Sequence, residues 1–185
     1  MTICLVGRET LSDLLFSFVL EKCTICDICE ERAPSFETTS IMYVTPNYNT
    51  SMQELLMQEH KQRLYKACFR CGRDTWHIES KRILQPPKYL IIIVNRINYI
   101  NNNITKNKSL IPLDLNIILG PFKFTLQATV DHHGQSMNSG HYTASINCCG
   151  KTFYCNDNKI TECNIRDTYN SSTAYILLYR FVMEY

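Results

Sequence analysis

The segment His132-His133-Gly134-Gln135-Ser136-Met137-Asn138-Ser139-Gly140-His141-Tyr142 sets imidazoles on both sides of a Gly/Ser/Asn loop. Histidine changes charge closest to neutral pH, so a histidine where a loop meets a strand is a candidate general base. His141 opens the strand-like run Tyr142-Thr143-Ala144, and Gly140 before it has no side chain to block an approaching substrate backbone. The turn Asn147-Cys148-Cys149-Gly150 then predicts a hairpin whose second strand brings Asn156 and Asp157 back beside His141. An imidazole with an amide or carboxylate to orient it is two-thirds of a nucleophile–base–orienter triad. On spacing alone, loop histidines and a polar strand end account for the segment equally well.

A second constellation is made of thiols. Cys23-Thr24-Ile25-Cys26 and Cys68-Phe69-Arg70-Cys71 are two C-x2-C pairs, and four thiolates can close a tetrahedral zinc site with Zn–S distances of ~2.3 Å. Each pair would wrap one edge of the tetrahedron in a tight turn, and a site with four protein ligands is structural rather than catalytic. Reduced buried cysteines, or one disulfide per pair, are the competing account. Cys29 is left as a bystander, because a four-thiolate site has no place for a fifth sulfur.

The elements that must carry these groups read as a β-rich α+β chain. Glu9 to Lys22 reads as a helix entering a strand, Cys23 to Glu31 as a turn-forming knuckle, and Phe36 to Val44 as a strand. Ser51 followed by Glu54 is a capping box that starts a short helix over Met52, Leu55, Leu56 and Met57. After the second knuckle come strands over Asp74 to Leu84 and Tyr89 to Ile97, the latter apolar enough for burial on both faces. Asn101 to Lys108 reads as an exposed turn. Leu113 to Ile118, Phe122 to Val130, Tyr142 to Ile146, Thr152 to Cys155 and Tyr175 to Val182 supply the remaining strands.

Composition limits the function classes. The 185 residues are 45% apolar, which fills a domain core and argues against disorder. With 19 Lys+Arg against 17 Asp+Glu the net charge is +2, so nothing points to phosphate-driven binding of nucleic acid. The longest unbroken apolar run, Leu90 to Val94, is far short of the ~20 residues that span a bilayer. No basic segment precedes an apolar one at the amino terminus, so no signal peptide is expected. A reducing, intracellular setting follows, cytoplasmic or nuclear, in which the ten cysteines favour a metal over disulfides.

Taken in order, these motifs resemble the ubiquitin-specific protease family of cysteine deubiquitinases. The carriers are Val130-Asp131-His132-His133-Gly134 followed by Ser139-Gly140-His141-Tyr142-Thr143-Ala144, with the two C-x2-C pairs upstream. Pro87, Leu90-Ile91-Ile92, Arg96, Ile111-Pro112-Leu113 and Phe124-x-Leu126-x-Ala128 stand between them in the family's order. Phe153-Tyr154-Cys155-Asn156-Asp157 and Ala174-Tyr175-Ile176-Leu177-Leu178-Tyr179 complete the match over nearly the whole chain.

The resemblance implies a papain-like cysteine protease fold of the ubiquitin-specific type. It has a mostly antiparallel β palm over about 86–185, zinc-binding β fingers over about 20–85, and a helical thumb that is missing. It casts His141 as the general base, Asn156 as its orienter and Asp157 as the polar residue beside it. His132, Gly134, Gly140 and Tyr142 would line the path of ubiquitin's tail, with the loop from Gly134 to Gly140 closing over it. Cys23, Cys26, Cys68 and Cys71 would hold structural Zn2+ at the tip of the fingers. Ubiquitin or ubiquitinated proteins are the implied partners, with neither nucleic acid nor membrane.

The departures from the family's pattern also carry expectations. The Gly-Asn-Thr-Cys-Tyr type of box that holds the nucleophile does not occur in these 185 residues, and Cys4 follows Met1-Thr2-Ile3 with no glycine turn. Around Arg96 the usual Lys and aromatic are Asn95 and Ile97, and the usual His is Ile93. The chain alone is therefore expected not to hydrolyse ubiquitin conjugates. It reads as the C-terminal part of a deubiquitinase domain, with a non-catalytic ubiquitin-binding module and a zinc-ribbon nucleic-acid binder as the alternatives.

Overall fold

A computed structural model describes residues 10–100, 103–136, 139–164 and 170–184. Cys4, and Met137 and Asn138 of the loop before His141, lie outside the described residues. In chain order the first elements are α1 (Leu11–Phe16), β1 (Phe18–Cys26), β2 (Arg32–Thr39), β3 (Ile41–Val44), α2 (Met52–His60), β4 (Lys61–Cys68) and β5 (Arg73–Gln85). They are followed by β6 (Tyr89–Val94), β7 (Ile97–Ile100), β8 (Asn103–Lys106), β9 (Ile111–Pro112), β10 (Asn116–Leu119) and β11 (Phe122–His133). The chain continues through β12 (His141–Cys148), β13 (Lys151–Asn156), β14 (Lys159–Cys163), β15 (Asn170–Ser171) and β16 (Ala174–Glu184).

Local chemistry starts both helices. Ser51 Oγ accepts from the Glu54 amide at 3.3 Å while the Glu54 carboxylate accepts from the Ser51 amide at 2.9 Å, which is the expected capping box at α2. Thr10 and Asp13 build a second one at α1. The apolar positions of α2 put Met52, Leu55 and Leu56 on one face, and all three are buried.

An antiparallel sheet of order β2-β1-β5-β4 forms one body of strands, and an eight-stranded sheet forms the other. The latter runs β14-β13-β12-β11-β16-β6-β3, with β10 added along β11. Among the described residues its one parallel pair is β3 with β6. A single apolar core joins Leu90, Ile92, Val94, Phe124, Leu126 and Leu177 of the large sheet to Met52, Leu55 and Leu56 of α2, and to Phe18, Leu20 and Ile83 at the root of the small sheet. At about 1.5–3 kcal/mol per fully buried large apolar side chain, this shared core ties the two sheets together.

Four sequence expectations need correction. The single strand over Phe36 to Val44 is two strands, because the chain bends at Ser40 and passes from the small sheet to the large one. The first knuckle is shorter than Cys23 to Glu31, since β1 continues through Cys23 to Cys26. Tyr89 to Val94 alternates between buried and half-buried positions instead of being covered on both faces. In place of a turn over Asn101 to Lys108, β7 and β8 form a hairpin with Ile97 opposite Lys106. The strands β4 and β14 carry mostly exposed polar side chains at sheet edges, so neither has the apolar alternation by which strands are recognised.

Candidate functional site

Register brings the base and its orienter together. Cys148 pairs with Lys151 around a two-residue turn in which Cys149 (φ 53°) and Gly150 (φ 78°) both have positive φ, the mirror-image geometry that matches strand twist. From there Ala144 pairs with Cys155, which leaves Asn156 diagonally opposite His141 on the same face. The Nε2 of His141 lies 2.6 Å from Oδ1 of Asn156. An amide oxygen only accepts, so Nε2 carries the hydrogen and Nδ1 presents its lone pair to an incoming proton. Asp157 follows in the left-handed region (φ 50°), exposed in the turn to β14.

The loop from 134 to 140 leaves β11 and enters β12 where His132 faces Tyr142 and His133 faces His141. His132, expected along a substrate path, is only 2% exposed, and its ring centroid lies 4.7 Å from that of the half-exposed Tyr142. Burial, then the neighbouring Lys106 ammonium and His133, push the His132 imidazole below its ordinary pKa. The glycines serve close approach within the chain. A Cβ on Gly134 would lie 2.3 Å from the Ser139 carbonyl oxygen, and one on Gly140 would lie 2.4 Å from His132 Nε2 and from the His133 carbonyl oxygen.

Arg96 is a fully buried cation. It donates from Nε to the Ala174 carbonyl at 2.8 Å, from one terminal nitrogen to Asn107 and Ser109 at 3.1 and 2.9 Å, and from the other to Ser171 at 3.1 Å. Burial lowers its pKa to about 10, against the pull of Asp131, and the group stays charged at neutral pH. Asp131 in turn accepts from the hydroxyls of Ser171 and Thr173 at 3.0 and 2.8 Å. The resemblance flagged Arg96 as a motif residue without a role; its role here is to hold the segments around 107–109 and 171–174 against the large sheet.

At the far end of the small sheet the sulfurs of Cys26, Cys29, Cys68 and Cys71 lie within 4.8 Å of one another. This corrects the sequence expectation: Cys29 is in the cluster and Cys23 is not. Cys23 lies mid-strand, paired with Pro34 and Ser80, whereas the turn falls at residues 27–29, so the pair that can fold around an ion is Cys26-Asp27-Ile28-Cys29. The signal was present, because Cys26 belongs to two overlapping C-x2-C spacings and only the second is followed by the polar run Glu30-Glu31-Arg32.

The Cys26–Cys71 and Cys29–Cys68 sulfur separations are 3.8 and 3.6 Å, against ~3.8 Å for the edge of a tetrahedron with 2.3 Å Zn–S bonds. The Ile28 and Cys71 amides each donate to a sulfur at 3.4 Å. The Cys29 amide and then the Thr75 hydroxyl hold Cys26 down at about 5, while the adjacent Cys29 thiol and burial push Cys71 up to about 12. A thiol whose ionisation is favoured, amides aimed at sulfur and tetrahedral spacing all fit a divalent thiophilic ion.

The other described cysteines stand away from His141. Cys148 and Cys149 are at the opposite end of β12, about 23 Å along the strand. Cys155 alternates to the face opposite Asn156, and Cys163 pairs with Thr152 toward the far end of β13. No helix among the described residues is long and apolar enough to cross a membrane.

Comparison with known proteins gives a concordant answer. The family model described as ubiquitin carboxyl-terminal hydrolase matches residues 6–179. The mouse ubiquitin carboxyl-terminal hydrolase 17-like protein E is 29% identical over 143 residues, covering 71% of this chain and 25% of the relative. Human ubiquitin carboxyl-terminal hydrolase 3 is 24% identical, covering 95% of this chain and 40% of the relative. Among solved structures, a chain of the SAGA DUB module Ubp8/Sgf11/Sus1/Sgf73 bound to monoubiquitin superimposes with a TM-score of 0.85 at 18% identity, over 96% of this chain and 43% of that one. The mostly antiparallel fold is thus shared, and this chain spans less than half the length of these relatives.

Proposed function

Because the chain belongs to the ubiquitin carboxyl-terminal hydrolase family, we propose that it forms the base-bearing part of a ubiquitin-specific protease domain. The four-stranded sheet is the fingers and the eight-stranded sheet the palm. The observation that carries the reading is the His141–Asn156 pair at 2.6 Å, which has the geometry of an oriented general base. A thiolate supplied by a segment other than these 185 residues attacks the carbonyl of ubiquitin's terminal glycine. His141 Nδ1 takes the thiol proton and returns it to the leaving lysine amine, and water then releases the acyl group. Asn156 holds the tautomer, and Asp157 lies beside it in the turn. Gly134, Gly140 and Tyr142 line the way to His141, with His132 packed behind them. Cys26, Cys29, Cys68 and Cys71 hold zinc, which closes the tip of the fingers and stabilises the fold.

The test is titration of the isotope-labelled chain with ubiquitin, followed by incubation with ubiquitin bearing a C-terminal electrophile. Shift changes at Gly140, His141 and Tyr142 with no covalent adduct are expected. Absence of any shift change overturns ubiquitin recognition, and a His141-dependent adduct overturns the assignment of the nucleophile to other chain.

A further inference from the structure

We infer that Lys106, through His132, is a positioning residue for His141: it wedges the His132 imidazole against Gly140 and thereby sets where the base enters its strand. The inference rests on the reading of His141 as general base. Lys106 ends β8, which belongs to neither of the two main sheets. Its ammonium nevertheless reaches the β11 side of the loop base, donating to the His132 carbonyl at 2.6 Å and the Gly134 carbonyl at 3.2 Å, and lying 3.2 Å from His132 Nδ1. An ammonium has three hydrogens and no acceptor, so these contacts use its full capacity and assign Nδ1 as the acceptor.

The rest of the relay is steric. With Nδ1 tied to Lys106 and the ring against Tyr142, Nε2 of His132 faces Gly140 so closely that a single added carbon would sit 2.4 Å from it. Gly140 precedes His141, so the ring fixes the backbone from which the base projects. The lysine is itself anchored, because the next residue, Asn107, donates its amide to the Arg96 carbonyl at 2.7 Å and accepts from the Arg96 guanidinium. Holding an ammonium here is unfavourable in itself: burial, then Arg96 and Lys108, push Lys106 below its ordinary pKa. A cation kept beside other cations, with its hydrogens aimed at one loop base, fits a positioning role better than general stability.

The experiment compares the full chain with Lys106→Met and Lys106→Arg, using 15N-labelled histidine and amide hydrogen exchange. In the unaltered chain His132 is the Nε2–H tautomer. Lys106→Met is expected to give a mixed tautomer and about tenfold faster exchange at Gly140 and His141, the loss of roughly one charge-assisted hydrogen bond, with β11 and β16 unchanged. Lys106→Arg should restore both signals. Unchanged exchange at Gly140 and His141 in the Met variant, or faster exchange spread over the whole sheet, overturns the inference. Ubiquitin titration of the same samples separates the two claims. Loosening at His141 without ubiquitin binding upholds the wedge and overturns the functional reading, whereas binding without loosening does the reverse.

Discussion

His141 and Asn156 form a diagonal pair across β12 and β13, with Nε2 and Oδ1 2.6 Å apart. Because the oxygen of an amide cannot donate, the pair selects the imidazole tautomer whose free lone pair is on Nδ1. Asn156→Ala should therefore leave His141 present but unoriented. In a catalytic unit assembled with its nucleophile-bearing segment, kcat on a ubiquitin substrate should fall by about a hundredfold. Asn156→Asp keeps an acceptor at the same position and should retain most of the rate. A kcat unaltered by the alanine change would show that the pair does not orient the base.

The two overlapping cysteine spacings give a sharper test. Cys29→Ser removes a sulfur that lies 3.6 Å from Cys68, and should cost the chain its zinc and lower its melting temperature. Cys23→Ser alters a half-buried mid-strand position and should leave zinc stoichiometric. Metal analysis by emission spectrometry on the two purified variants decides between them; zinc lost from the Cys23 variant and kept by the Cys29 variant would restore the original assignment.

These cases show what was legible in the sequence. His141 and Asn156 could be placed together because a Cys149-Gly150 turn and strand alternation determine the register between them. Cys29 was missed because the choice between two equal spacings depends on where β1 stops, which is set by its pairing with β2 and β5 rather than by the cysteines. What residue types alone did not show is how closely the loop base packs on itself, with the buried His132 ring set against Gly140. Lys106 was hidden in a polar run that read as a turn. Its role arises from a hairpin that carries it to residues 26 and 28 positions away in sequence.

Arg96 joins segments that no local rule connects, so its removal should be felt throughout the palm. Arg96→Met would leave four buried or half-buried carbonyls without their donor, at a cost on the order of 3–5 kcal/mol. Arg96→Lys offers three donors from a single point and cannot replace a fork that reaches four oxygens, so it should recover only part of the loss. Urea denaturation measures both. A midpoint unchanged in Arg96→Met would mean that water satisfies these carbonyls as well as the guanidinium does.

His132 gives the fold a pH dependence of definite sign. Burial, the Lys106 ammonium and His133 lower its pKa in the folded chain, while the unfolded chain takes up the proton near its ordinary value of about 6.5. Between the folded and unfolded values the unfolded state binds more protons, so stability rises with pH through that window. The contribution is complete above about pH 6.5 and is lost as the pH falls through the folded value. Melting temperatures recorded from about pH 5 to pH 7.5 should therefore fall on acidification more steeply for the unaltered chain than for His132→Gln, the other histidines being common to both. Lys106→Met removes one of the causes and should give an intermediate slope. Equal slopes in the unaltered chain and His132→Gln would remove His132 from the account of acid sensitivity.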